Sequence, residues 1–191
     1  PAEFIYENLM IETNIIHSAF LSGVKKLLFL GSSCIYPKSF NQPIKEFMLL
    51  KGILEPTNEP YAISKIAGIK LCESYNHQYG VNYKCLMPCN AYGPNDNYNL
   101  KTSHFFSALF KKINFAKKNK KKTLEIWGSG NPLREFMHVD DLASAIIFLL
   151  KKEVSQDILN IGSGEEVSIK VLANKIKSVV NFEGELIFND K

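Results

Sequence analysis

Tyr61 and Lys65 stand four residues apart in Tyr61-Ala62-Ile63-Ser64-Lys65, so a helix there puts a phenol and an ammonium on one face. A free tyrosine, with a pKa of about 10, is a poor acid–base group at neutral pH. A cation beside it favours the phenolate and brings the pKa toward the working range. A ketone reduced to an alcohol requires such a proton donor, with hydride supplied by a nicotinamide. Tyrosine and lysine at this spacing also occur by chance on many helices, so the pair takes its meaning from its surroundings. The first of these is Gly31-Ser32-Ser33-Cys34-Ile35-Tyr36-Pro37. Ser32 follows a short apolar run, and the carboxyl end of a parallel strand is where doubly wound folds place their ligands. Its hydroxyl suits a donor to the reacting oxygen. The plain alternative is a turn serine.

Helices and strands in alternation must carry these groups. Residues 7–24 set Leu9, Ile11, Ile15, Ile16 and Phe20 at helical spacing, with Gly23 as a stop. Residues 26–30 form an apolar run of the kind found in buried parallel strands. A polar, proline-marked loop reaches Pro60. A second helix is expected over 61–79, closed by Gly80, and a second strand over 83–87. Further helices are expected over 104–118, 140–151 and 168–180, with Asp140 or Asp141 suited to cap the middle one. Further strands are expected over 123–127, 158–161 and 186–188. The alternation predicts an α/β fold with a mostly parallel sheet.

Such a fold normally opens on a strand, a glycine-rich turn and a helix that receives a pyrophosphate. This sequence opens in mid-helix, so it is expected to be part of a longer chain without that turn and without the C-terminus. Gly162-Ser163-Gly164 is the nearest imitation, but its third glycine would be Val167, and it reads as a strand-to-helix loop.

The 191 residues are 46% hydrophobic with a net charge of +4, an ordinary balance for a globular chain. The lysines between Lys111 and Lys122 have one aromatic among them, Phe115, and match no nucleic-acid motif, so they read as a solvated helix end and loop and not as a nucleic-acid site. A charged substrate drawn to that face is the other reading. Cys34, Cys72, Cys85 and Cys89 fit a reduced, cytoplasmic protein. They complete no metal-ligand set with a histidine or cysteine pair elsewhere, and no apolar run is long enough for a bilayer.

Taken together, Gly31-Ser32-Ser33, the Tyr61-to-Lys65 spacing, Pro88-Cys89-Asn90-Ala91-Tyr92-Gly93-Pro94 and the stretch Arg134 to Asp141 resemble the extended short-chain dehydrogenase/reductase family. The resemblance runs over the whole chain. Leu54 to Ala62 and Trp127-Gly128-Ser129-Gly130 point to its GDP-fucose-forming members. These epimerise GDP-4-keto-6-deoxy-D-mannose and reduce its ketone with NADPH. The alternatives are another NAD(P)-dependent sugar-nucleotide reductase or epimerase, and a catalytically incomplete nucleotide-binding scaffold.

The resemblance implies a Rossmann-type doubly wound parallel sheet, here its C-terminal half, with a smaller α/β substrate-binding domain. Residues 1–90 would belong to the NADP-binding domain and 91–191 mainly to the substrate domain, with a return to the first around 136–164. Ser32, Tyr61 and Lys65 would form the reductase triad, and Cys34 and His104 the acid–base pair of epimerisation. A thiol and an imidazole, with unperturbed pKa values of about 8.5 and 6.5, both exchange protons near neutrality. The plain readings are a small buried hydrophobe for Cys34 and a helix-start residue for His104. NADP(H) would lie along Leu30, Gly31, Ser32 and Ser33 and along Pro88, Cys89, Asn90 and Ala91, and against Tyr61, Lys65 and His104. The GDP-sugar would be held by Asn90, Lys112, Trp127 and Arg134, although Trp127 also reads as core packing. At Lys112 the family carries arginine, so the charge is kept and the forked geometry lost. A homodimer through helices 7–24 and 61–79 is implied by the same analogy.

Overall fold

The structure is a computed structural model and describes residues 1–40, 42–100 and 102–189. In chain order the elements are α1 (Ala2–Leu21), β1 (Lys26–Leu30), α2 (Glu59–Tyr79), β2 (Asn82–Pro88), β3 (Asn90–Tyr92) and α3 (Phe105–Lys118). There follow β4 (Thr123–Trp127), β5 (Leu133–His138), α4 (Val139–Lys151), β6 (Ile158–Ile161), β7 (Glu166–Ser168), α5 (Ile169–Val179) and β8 (Glu185–Asn189). Short 3-10 turns at Ser33–Ile35 and Glu46–Met48 lie between β1 and α2. The chain divides into two compact units, Pro1–Cys89 with Asp141–Ile161, and Asn90–Asp140 with the residues from Gly162 onward.

In the first unit β2 lies between β1 and β6, and both pairings are parallel. Leu30 faces Leu86 and Pro88 faces Ile161, so the carboxyl ends of the three strands share one edge. The core gathers Ile16, Phe29, Ile35, Ile69, Tyr83 and Met87 from α1, β1, the first 3-10 turn, α2 and β2. Glycine closes α2 because Gly80 must take φ of 65°.

The first helix runs from residue 2 to 21, not 7 to 24: Ser22 serves as its C-cap and Gly23 turns to φ of 75°. Its inward face is also different. Glu12 and Ile16 are buried, whereas Ile11 and Ile15 are 58% and 59% exposed. An apolar pattern broad enough to cover two faces does not say which of them packs inward.

In the second unit β5 lies between β3, which it meets in parallel, and β7, which it meets antiparallel. Strands β4 and β8 form a separate parallel pair. Leu109, Ile113, Ile126, Leu172, Ile176 and Phe182 make this unit's core. Strands β3, β5 and β7 were not expected from the sequence. β3 and β7 span three residues each, and β5 carries Arg134 and Glu135 in place of an apolar run. Their pairing is decided by partners distant in sequence. Neither Asp140 nor Asp141 begins α4, which starts at Val139; the His138 ring accepts from Asp140 N at 3.3 Å instead. Among the described residues no helix is long and apolar enough to cross a membrane.

Candidate active site

Beyond β1 the ladder continues by one bond, Gly31 N donating to Leu86 O at 2.9 Å. Ser32 then leaves in extended conformation and caps the turn Ser33–Ile35, its Oγ accepting from Cys34 N at 3.4 Å. The turn is fastened from below by buried Ile35 and Tyr36. Tyr36 Oη donates to Asn160 Oδ1 at 2.5 Å, and Asn160 N donates to Glu46 Oε1 at 2.8 Å. Burial and the Glu46 charge push the Tyr36 phenol up to about 12, with the Asn160 bond opposing. The Ser32–Cys34 turn is therefore clamped between β1 and β6.

Helix α2 brings the next two groups. Ala62, Ser64, Ile66 and Ile69 face inward, which leaves Tyr61 and Lys65 half-buried at the rim. The Phe4 ring packs on Tyr61 with centroids 5.4 Å apart. Lys65 Nζ lies 5.7 Å from the Tyr61 ring centre, 4.9 Å from that of Phe29 and 2.8 Å from Glu12 Oε1. Ser32, Cys34, Tyr61 and Lys65 thus come together at one strand edge.

The electrostatics differ from the simple expectation that Lys65 lowers the phenol pKa. The Tyr61 phenol is raised, first by burial, then by the charges of Cys34 and Glu12, with a Ser32 hydrogen bond opposing. Glu12 offsets the cation that was expected to act. The Cys34 thiol is also raised, by burial above all, while Ser32, its own backbone N–H and the Lys65 charge pull the other way. Tyr61 is accordingly protonated at physiological pH. Glu12 escaped notice in the sequence because Ile11 and Ile15 drew the helical pattern to the other face.

The remaining residues belong mostly to the second unit. Asn90 opens β3 and donates from its amide to Glu135 O at 2.9 Å. His104 is exposed at the N-cap position of α3 but makes no side-chain cap bond. Lys112 Nζ lies 5.9 Å from the centre of the Trp127 ring, and Trp127 is 85% exposed, so it is not core packing. Arg134 is exposed on β5, its Nη1 donating to Leu133 O at 2.7 Å. Leu30, Ser33 and Ala91 are exposed, whereas Pro88 and Cys89 are half-buried at the end of β2. Cys34, Cys72, Cys85 and Cys89 form no disulfide among the described residues. The same unit holds a cavity of about 640 Å³ whose walls include Tyr92, Tyr98, Phe106, Phe110, Phe136 and His138. Sequence reasoning missed it because its wall is assembled from four separate segments.

The sequence profile of the NAD dependent epimerase/dehydratase family matches residues 1–162. The chain belongs to this family. Among the family's curated proteins, it is 56% identical to GDP-L-fucose synthase 1 of Arabidopsis thaliana over 97% of the chain. It is 52% identical to GDP-L-fucose synthase of Escherichia coli K12 over 99% of the chain. The chain spans 58% and 62% of these two relatives' own lengths. A solved structure, MlghC, GDP-mannoheptose C4 reductase from Campylobacter jejuni with NADP bound, superposes with a TM-score of 0.88 at 39% identity. That match covers 99% of this chain and 67% of the other. The Rossmann-type α/β architecture is thus shared with the family, and the parallel β1-β2-β6 sheet is its representative here.

Proposed function

We propose that the full-length protein carrying this chain converts GDP-4-keto-6-deoxy-D-mannose to GDP-L-fucose, by epimerisation beside the ketone followed by its reduction. The observation that carries this reading is the gathering of Ser32, Cys34, Tyr61 and Lys65 at the carboxyl ends of β1 and β2. The printed names of the two curated relatives support it. Pro1–Cys89 with Asp141–Ile161 would be the C-terminal part of the dinucleotide-binding domain, and the second unit the substrate domain. Four cysteines without a disulfide suit a reducing, cytoplasmic setting.

The donor set fits a nicotinamide ribose and a ketone oxygen: a hydroxyl, a protonated phenol and an ammonium face one open strand edge. Leu30–Ser33, Pro88–Ala91, Tyr61, Lys65 and His104 would hold NADP(H), which would supply hydride when bound. Tyr61 gives its phenolic proton to the ketone oxygen, and Ser32 donates a hydrogen bond to the same atom. In the epimerisation step these two donors stabilise the enolate oxygen formed when a neighbouring carbon loses its proton. Cys34 and His104 take and return that proton. Asn90, Lys112, Trp127 and Arg134 grip the GDP-sugar. Two copies would pair through α1 and α2, where Phe4, Ile11 and Ile15 form an exposed stripe at helical spacing.

A second reading, reduction of another GDP-keto-sugar without epimerisation, is favoured by the upward shift of the Cys34 thiol, since a protonated thiol is a poor base. One experiment separates the two. The protein is mixed with GDP-4-keto-6-deoxy-D-mannose in deuterated water, first without and then with NADPH. Deuterium entering the sugar before reduction, then NADPH oxidation to GDP-L-fucose, is expected. Reduction without exchange selects the second reading, and no oxidation by folded protein overturns the first.

A further inference from the structure

Helix α1 carries a carboxylate where its packing face calls for an apolar group. Glu12 lies one turn before Ile16 on the inward side, and its side chain is 5% exposed. Neither of its oxygens accepts a hydrogen bond of ordinary geometry among the described residues. Its one compensation is ionic, the Lys65 ammonium at 2.8 Å, itself only 14% exposed. A buried ion pair of this kind is a poor source of stability, because desolvating both charges offsets most of their attraction. The fold nonetheless makes room for it. Gly68 stands three residues after Lys65 on α2, and a Cβ there would lie 2.9 Å from Glu12 Oε2 and 2.4 Å from Phe29 Cζ. Phe29 covers the pair from β1, its ring centre 4.9 Å from Lys65 Nζ.

We propose that Glu12 is a positioning residue for Lys65: it holds the ammonium against the Tyr61 ring, in a seat that the missing side chain of Gly68 leaves open. This rests on the reading of Lys65 as a cofactor-facing residue. The chain gains in two ways. Lysine has a long flexible stem, and a fixed counter-charge at its tip removes most of that freedom. Glu12 also tempers the cation, so that Tyr61 keeps the proton it must donate. The titratable groups facing this pair are Tyr61 on the same helix as Lys65, and Cys34 on the turn after β1.

The test is a cycle of four full-length proteins: the parent, Glu12→Gln, Lys65→Met and the double variant. It is read by NADPH affinity (cofactor fluorescence) and by thermal unfolding without cofactor. Glu12→Gln is expected to weaken NADPH about tenfold when Lys65 is present and less than about twofold when it is replaced, the mark of an effect passed through a partner. In unfolding, Glu12→Gln is expected to lower Tm in the parent, where it strands a buried cation. In the Lys65→Met background the same change is expected to raise Tm, because there it removes a stranded carboxylate. Equal losses in both backgrounds, by either readout, overturn the proposal. So does an unchanged NADPH affinity in Glu12→Gln. A parent that binds NADPH but leaves the GDP-keto-sugar unreduced overturns the function proposed above and leaves both cycles readable.

Discussion

Lys112 on α3 holds its ammonium 5.9 Å from the centre of the Trp127 ring at the end of β4. The ring is 85% exposed, so among the described residues this cation and this indole meet on an open surface. They offer one apolar face and one positive charge side by side, which suits a sugar or base joined to a diphosphate. Trp127→Ala is expected to raise KM for the GDP-sugar about fivefold, from about 1 kcal/mol of lost ring contact. Tm should stay within about two degrees, because little is buried there. A large fall in Tm with unchanged KM would contradict the assignment.

Lys112→Arg tests the same ledge in the opposite direction. A forked guanidinium engages a phosphate through two bonds where an ammonium offers a point charge. The expected outcome is a KM lowered by about twofold to fivefold with kcat unchanged. Steady-state kinetics at fixed NADPH measure it.

Cys34→Ala is expected to abolish deuterium exchange at the sugar carbons while reduction of a keto-sugar persists. The thiol is half-buried beside Ser32, and the reduction step asks nothing of it. Because burial raises its pKa, exchange in the parent should climb with pH through and beyond the ordinary thiol range. Exchange that is flat with pH, or that survives the substitution, would remove Cys34 from the proton transfer.

Stability should fall in alkali through Tyr36. Its phenol stays protonated to about 12 in the fold, against 10.0 ordinarily. Below pH 10 both states hold the proton and the shift gives no slope. Between 10 and 12 the unfolded chain releases the proton first, so stability drops as pH rises, by up to about 2 kcal/mol. Tyr61 and Tyr83, also raised by burial, tilt the curve the same way. Urea titrations across this window should show a shallower decline for Tyr36→Phe than for the parent.

Ile11→Asp with Ile15→Asp is expected to yield a monomer by sedimentation, with the far-ultraviolet spectrum unchanged. Both side chains are more than half exposed on α1 and contribute nothing to its inward packing. A dimer that survives both charges lies elsewhere on the protein.

Much of the first unit was legible before the structure. The strands at 26–30 and 158–161 are short apolar runs between turn residues, and both form at those bounds. Tyr61 and Lys65 at helical spacing do share a helix edge, and Ser32 and Cys34 do follow the strand. The strand of Leu133–His138 was not legible, since nothing in Leu133-Arg134-Glu135 alternates or clusters in an apolar way. Its ladders to β3 and β7 join residues about thirty to forty-five positions apart, beyond the reach of local pattern. Glu12 was hidden for a different reason. A charge in a helix is read as solvent-facing unless its partner is known, and Lys65 lies in another element.

The clamp on the Ser32–Cys34 turn also says something about order of assembly. Asn160 accepts from Tyr36, which precedes it by 124 positions, and donates to Glu46 and to Ile44 O. These three bonds join residues 114 to 124 positions apart, and closing them requires the chain to leave for Asn90–Asp140 and come back. β1, α2 and β2 are contiguous and pair with one another as soon as they exist. The Ser32–Cys34 turn, by contrast, gains these bonds only when β6 arrives. During synthesis the turn that carries Ser32 and Cys34 is therefore fastened later than the strands beside it, through an asparagine of β6.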